Sequence, residues 1–295
     1  MRRREFLKDT GLSMVSLPFA ASRSALFGAV PYKIKTSCNM YSFNKLITEG
    51  GWSLAKAIEF CGELGFDAVD PTGYYFTTYP EVPSDREIYA TKHTAFVNGM
   101  AISGTGIRND FALPDQEERA KQIDFAKRWI EVAAKLDAPV IRLFAGNKIP
   151  DGHDITEVKK WIVDCLHPCI EFGKEHGVII TLQNHFDALK SMEDVKSVLD
   201  QIDSPWFGLN LDIGSLRLGD PYQQIDALVP YARTWQIKES VYQNNVAEPT
   251  DINKLFTIIK NRGYRGFVPL ETLPPSDPRD RLKSFLQEIE AAIEK

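Results

Sequence analysis

Histidine is scarce in this chain of 295 residues, which holds five. Zinc nucleases gather several histidines at their metals, so the scarcity weighs against that class. Cysteine is scarcer still, with four residues, too few in a chain this long for a disulfide framework. Cys165 and Cys169 flank Leu166-His167-Pro168 in a helix-like run and have no second ligand pair nearby, so buried helix thiols are expected rather than a metal clip. No stretch approaches the ~20 apolar residues that span a bilayer. No basic run follows the first residues and the net charge is −5, a poor balance for binding nucleic acid. No G-x-G-x-x-G follows the first strand candidate, which argues against a doubly wound dinucleotide-binding sheet.

The N-terminus has the layout of an export signal. "RRREFLKDTGLSMVSLPFAAS" opens with three arginines, continues uncharged from Thr10 to Ser22 and ends in small residues. Arg3-Arg4-Glu5-Phe6-Leu7-Lys8 is similar to the twin-arginine motif. Residues 1–29 are therefore expected to be an export signal with a short linker, and residues 30–295 the mature, periplasmic domain. Removing residues 1–22 takes away four basic and two acidic side chains and moves the net charge from −5 to −7.

One pattern then repeats: a short apolar run, a polar or aromatic tip, and an amphipathic stretch. Strands are predicted at Tyr32–Cys38, "GFDAVD", Ala101–Gly104, "APVIRLFAG", "GVIITLQNHFD", "FGLNLDIG", "RTWQIKES" and "GFVPLET". Helices are predicted over "SLAKAIEFCGEL", Asp85–Asn98, Asp115–Leu136 with Asp115 as its N-cap, Asp154–His176, Ser191–Gln201, Asp220–Val229, Asp251–Asn261 and Asp277–Glu294. Strands alternating with helices pair in parallel through right-handed crossovers. Eight such units in about 270 residues predict a single (β/α)8 TIM barrel.

In such a barrel the chemistry gathers at the carboxyl ends of the strands. That rim would hold Asn39 and Tyr41, Arg142, Gln183, Asn184 and His185, Asp212, Gln236, Lys238 and Glu239, and Glu271. Asp212 and Glu271 each end an apolar run, where a carboxylate is costly unless paired or bound to a cation. Lys238 is open to two readings, an ion pair with Glu239 or a role in sugar binding or proton transfer. Arg142 is likewise open, as a grip for an anion or as a barrel-interior ion-pair residue. Tyr41, Phe43, Tyr74, Tyr75, Phe76, Phe144 and Phe186 are candidate aromatics for a sugar face.

The tips "ITLQNH", "LNLDIGS", "WQIKES" and "VPLET" resemble the xylose-isomerase-like TIM barrels, also called sugar phosphate isomerases/epimerases, over about residues 33–292. The resemblance implies a divalent cation held at Gln183, Asp212, Gln236 and Glu271, with Mg2+ or Mn2+ expected. Two of these positions depart from the family pattern, since Gln183 stands for a glutamate and Gln236 for a histidine. Ser215 stands where many relatives carry a further histidine. An amide oxygen can ligate a hard cation but cannot shuttle a proton, and with no histidine or thiolate among the ligands zinc is disfavoured. The proton work therefore falls to Glu271, with His185, or else Lys238 or Glu239, as partner. Asn184, Arg142, Tyr41, Glu239 and Phe186 would bind the substrate. The expected activity is proton transfer at carbon on a sugar or keto-sugar, of isomerase or epimerase type. A β-eliminating lyase on an oxidised sugar and a non-catalytic sugar-binding barrel are the alternatives.

Overall fold

The computed structural model describes residues 33–275 and 277–295, so the expected export signal, residues 1–29, lies outside the described residues. In chain order the elements are β1 Ile34–Asn39, α1 Asn44–Thr48, α2 Leu54–Leu64, β2 Ala68–Asp70, α3 Asp85–Val97, β3 Ala101–Ile102, β4 Thr105–Gly106 and α4 Gln116–Lys135. They continue with β5 Val140–Phe144, α5 Ile155–His176, β6 Ile179–Gln183, α6 Met192–Leu199, β7 Phe207–Asp212 and α7 Pro221–Leu228. The last are β8 Ala232–Lys238, β9 Ser240–Gln243, β10 Val246–Pro249, α8 Ile252–Asn261, β11 Gly266–Glu271 and α9 Pro278–Glu294.

Nine strands form one sheet in the order β3-β2-β1-β11-β8-β7-β6-β5-β4, and every pairing in it is parallel. Its two ends, β3 and β4, are consecutive in the chain and separated only by Ser103 and Gly104. They are two halves of the third barrel strand: β3 pairs with β2 and β4 with β5. A bridge from Thr72 to Gly106 brings the β2 side to β4 and nearly closes the ring. The structure is thus the expected (β/α)8 barrel, with the third strand, read as continuous over Ala101–Gly104, broken in the middle.

The break lies beside a buried charge pair. Arg142 of β5 is 2% exposed and donates from Nη1 to Asp70 Oδ2 at 2.7 Å, at the end of β2. The guanidinium passes so close to Gly106 that a Cβ there would lie 2.6 Å from Nε. Arg142 thus makes the barrel-interior ion pair that was one of its two sequence readings, and it also lines the cavity at the strand ends. Apolar side chains pack around the barrel strands, including Ile141, Leu143, Ile180, Leu182, Leu209, Leu211, Trp235, Ile237, Val268 and Leu270.

Local chemistry explains the helix starts. Each of α2 to α9 opens on a Ser or Asp whose side chain accepts from a backbone N–H at the start of the helix: Ser53, Ser84, Asp115, Asp154, Ser191, Asp220, Asp251 and Asp277. Each such cap is worth about 1 kcal/mol. All four cysteines are free and buried, and burial raises the Cys165 thiol to about 11. The hairpin β9–β10 and short α1 were not foreseen. The hairpin turns on Asn244 and Asn245, at φ 48° and 65°, the left-handed pair that a two-residue type I′ turn needs.

Arg142→Met should destabilise the barrel by about 3–5 kcal/mol, because it strands a buried aspartate without its partner. Urea unfolding of Arg142→Met and of Asp70→Leu/Arg142→Met tests this. The double variant should recover most of the loss, and a double variant as unstable as the single one would show that the charge pair is not the cause.

Candidate active site

A cavity of about 1030 Å3 opens at the carboxyl ends of the strands. Its lining includes Gln183 at the end of β6 and His185 just after it, Gln236 and Lys238 at the end of β8, and Glu271 at the end of β11. Strand register explains why these meet: Asp212 lies beside Gln236, and Lys238 beside Glu271, across adjacent parallel strands.

Five of these side chains close a ring. Gln183 Nε2 donates to Asp212 Oδ2 at 2.9 Å and to Gln236 Oε1 at 2.5 Å. Gln236 Nε2 donates to Glu271 Oε2 at 2.8 Å. Lys238 Nζ lies 3.0 Å from Asp212 Oδ2 and 3.2 Å from Glu271 Oε1. Asp212 is further held by the Ser215 hydroxyl at 2.9 Å and by the Gly214 N–H on Oδ1 at 3.0 Å. Lys238 therefore does not pair with Glu239, which meets Arg281 of α9 at 2.7 Å instead.

The two carboxylates respond oppositely. Burial pushes Asp212 up, but Lys238, His185 and Ser215 outweigh it and hold the group below the usual aspartate value. Burial also pushes Glu271 up, and there Lys238 does not offset it, partly because Asp212 adds repulsion, so the group sits above the usual glutamate value. Asp212 is thus the settled anion and Glu271 the carboxyl more ready to take a proton.

The stretch after β6 is folded tightly. His185 N–H bonds Gln183 O, and Asp187 N–H bonds His185 O, each reaching back two residues. Gln183, His185 and Phe186 line the cavity, whereas Asn184 does not. The Asn184 Nδ2 donates to Asp212 O and its Oδ1 accepts from Asp212 N, both at 2.8 Å, so Asn184 fastens the tip of β6 to the tip of β7 rather than lying against a substrate. His185 Nδ1 lies 2.7 Å from Asp187 Oδ2, although off the line of a good hydrogen bond, and the ring packs edge-on to Phe144 at 5.4 Å. Arg108 Nη2 donates to the same Asp187 oxygen at 2.7 Å.

Of the expected aromatics, Tyr41, Tyr74, Phe144 and Phe186 line the cavity. Phe43, Tyr75 and Phe76 are buried in the core. Phe43 stacks on Trp52, and Tyr75 donates to Asn44 at 3.0 Å. Asn39 is buried, and its Oδ1 accepts from Tyr41 N–H, shaping the turn after β1.

Asp187, Arg108, Arg217 and Tyr242 are not among the site residues expected from the sequence. The hairpin β9–β10 brings Tyr242 to the cavity and accepts Gly219 N–H on Asn244 Oδ1. Arg217 lies over the Tyr242 ring at 4.1 Å and the Phe186 ring at 5.6 Å, and has no carboxylate partner among the described residues. A two-residue turn of asparagines after "ESVYQ" was the available signal.

The ring also tests the expected divalent cation. Gln183 Oε1 is buried without a partner, a point in favour of a ligand. The rest of the donor set opposes it. Both amides aim N–H groups at oxygens, and one ammonium already reaches both carboxylates. No group of three His, Cys, Asp or Glu suited to a metal occurs among the described residues. A cation here would have to displace Lys238 and turn the amides around, so the donors as arranged do not fit one.

The barrel and its polar rim define a class, the parallel α/β barrels that work at their strand ends. The family model for xylose isomerase-like TIM barrels matches residues 58–292, and the chain belongs to that family. No curated protein sequence matches it. Among solved structures it is similar to 3-keto-D-glucoside 4-epimerase from E. coli, at 14% identity and TM-score 0.70 over 88% of this chain and 100% of that one. It is similar to D-psicose 3-epimerase from Clostridium cellulolyticum H10, seen with D-tagatose, at 16% identity and TM-score 0.67 over 88% and 97%. A xylose isomerase-like TIM barrel protein from Mycobacterium smegmatis, in complex with magnesium, is 20% identical with TM-score 0.67 over 91% and 100%. These likenesses show the shared fold.

The Asp187 carboxyl is pushed up by burial but held below the ordinary aspartate value by His185 and Arg108. Its folded pKa lies below its unfolded one, so the stabilisation it brings is present above about pH 4 and is lost as the pH falls through the folded value. Thermal unfolding of the protein and of Asp187→Asn should differ at neutral pH and converge in acid. A gap that does not change with pH would show that the charge of Asp187 is unused.

Proposed function

We propose that the protein is a carbohydrate-active enzyme that moves a proton at carbon on a sugar or keto-sugar, of isomerase or epimerase type. One observation carries the reading. A buried glutamate, raised above its usual value, and a histidine next to a carboxylate line the same cavity. β6 and β11 are separated in the sheet by β7 and β8, so Glu271 and His185 reach the cavity from different parts of the ring. Proton abstraction beside a carbonyl needs one group to accept the C–H proton and a second to supply or accept one elsewhere.

On this reading Glu271 takes the proton from the carbon next to the carbonyl. Its raised value suits it to hold that proton until it is returned. His185, steadied by Asp187 and by the edge of Phe144, serves the substrate oxygen or the opposite face of the carbon. Tyr41, Tyr74 and Phe186 offer flat apolar walls against the C–H faces of a sugar ring. The E. coli relative acts on a 3-keto-glucoside and the Clostridium relative is a ketose epimerase. Both names describe substrates whose C–H bonds a ketone acidifies, which supports a keto-sugar here.

β-Elimination from an oxidised sugar begins with the same proton removal. It is the second reading, because a single raised carboxyl at Glu271 is enough to start it. Candidate sugars and 3-keto-glycosides incubated in D2O and followed by NMR separate the readings. Exchange at one carbon with an epimer or isomer marks the first, a lost leaving group marks the lyase, and no exchange with any of them removes both. Glu271→Gln should slow exchange by about 10²–10⁴-fold while the protein stays folded, and an unchanged rate would sink the role of Glu271.

We further propose that residues 1–29 direct the chain to the periplasm, on the strength of their basic, apolar and small-residue order. N-terminal sequencing of the exported protein should begin between residues 22 and 30. Retention of Met1 in an unexported chain would overturn this.

A further inference from the structure

We propose that Lys238 is the resident cation of this site, standing where the family places a divalent metal, and that the enzyme works without one. The inference rests on the proposed proton transfer only for what the lysine does to a substrate; its claim about metal stands on geometry alone.

Three observations carry it. The ammonium lies 3.0 Å from Asp212 and 3.2 Å from Glu271, which are the two carboxylates among the four positions expected to ligate a metal. The other two positions are amides, and each turns an N–H, not its oxygen, toward a carboxylate: Gln183 toward Asp212 and Gln236 toward Glu271. A metal at the centre would require oxygens there, about 2.0–2.1 Å from Mg2+. The third observation is Gly214. A Cβ at that position would meet Lys238 Cδ at 2.6 Å, so the absence of a side chain opens the channel through which the lysine stem reaches the ring. The N–H of the same glycine holds Asp212 Oδ1.

Charge explains why the changes belong together. A glutamate at 183 would place a third carboxylate beside one ammonium, whereas Gln183 leaves two. Conversely, a divalent cation added beside Lys238 would confront it with like charge in a buried space. The substitution of amides for charged ligands and the lysine between the carboxylates are thus one arrangement.

The lysine retains a capacity to act. An ammonium has three N–H donors, and Asp212 and Glu271 occupy two. Lys238 lines the cavity, so the third can donate to a substrate carbonyl oxygen while Glu271 removes the neighbouring C–H proton. The electron pair of that C–H bond becomes a C=C bond as the carbonyl π pair moves onto oxygen, and the resulting enolate oxygen stays hydrogen-bonded to the ammonium. Lys238 is therefore a catalytic residue on this reading, in the place of a Lewis acid.

The test is a metal titration that needs no substrate. The purified protein, treated with chelator and dialysed, is titrated with Mn2+ and followed by the electron paramagnetic resonance of the free ion and by calorimetry. Expected is no uptake that Asp212→Asn abolishes, and a melting temperature indifferent to chelator. Lys238→Met/Gln183→Glu removes the ammonium and restores a carboxylate, and it should gain an Mn2+ site at least about tenfold tighter than anything in the parent, a change of about 1.4 kcal/mol or more. Uptake of one Mn2+ per chain by the parent, lost in Asp212→Asn, overturns the proposal. So does a folded double variant that binds no more Mn2+ than the parent. Should the double variant fail to fold, the parent titration decides alone. Mn2+ uptake would leave the proton-transfer reading standing, whereas absence of C–H exchange with every sugar would remove that reading and leave the metal claim intact.

Discussion

The site depends on one ammonium between two buried carboxylates. Asp212 and Glu271 end neighbouring parts of the sheet, with only β8 between their strands, and both are buried. Two such charges are costly to bury side by side without compensation. Lys238 supplies one positive charge to both, and the remaining negative charge is spread over donors from Gln183, Gln236, Ser215 and the Gly214 backbone. One cation cannot satisfy two anions equally, so the carboxylates part company. Asp212, with the larger share of donors, is held down, and Glu271 is left high. The asymmetry that holds one carboxyl low and leaves the other high follows from counting charges and donors.

The same counting gives the glutamine at the end of β6 its meaning. Its amide does what a glutamate could not, donating to Asp212 and to Gln236 at once. The next residue, Asn184, is turned away into the backbone of Asp212, because the chain folds back on itself every second residue there. A run of polar residues at a strand end is therefore not one functional surface. Gln183 and His185 face the cavity, and Asn184 is the fastening that lets Asp212 stay where Lys238 can reach it.

The barrel was legible because its signals are local and repeated. Apolar runs of strand length alternate with amphipathic stretches, and serine or aspartate stands at helix starts such as Asp115, Asp154 and Ser191. What stayed hidden depends on contacts distant in sequence. The third strand breaks over Ser103-Gly104, next to the pairing of Arg142 with Asp70, residues 72 apart. Lys238 invited pairing with its neighbour Glu239, but Glu239 is taken by Arg281 on the last helix. Four of the ring's five positions could be named in advance, as the metal positions that the family resemblance implied. Nothing in the letters showed that both amides turn their N–H groups inward or that the lysine fills the centre, since that follows from the register of β8 against β7 and β11.

A monovalent ammonium is a milder electrophile than a divalent metal, and that bears on the substrate. It cannot hold two oxygens of a sugar in the way a metal chelates them, and it lowers the cost of an oxyanion through a hydrogen bond rather than through coordination. On the proposed reading the substrate must then bring more of the activation itself. A carbon already next to a ketone meets that need, because the carbonyl takes the electron pair as soon as Glu271 removes the proton. An aldose in its closed ring does not, since ring opening must come first and nothing in the ring of Gln183, Asp212, Gln236, Lys238 and Glu271 is devoted to it. On the proposed reading, an arrangement in which Lys238 is the cation therefore also favours substrates that already carry a ketone next to the reacting carbon.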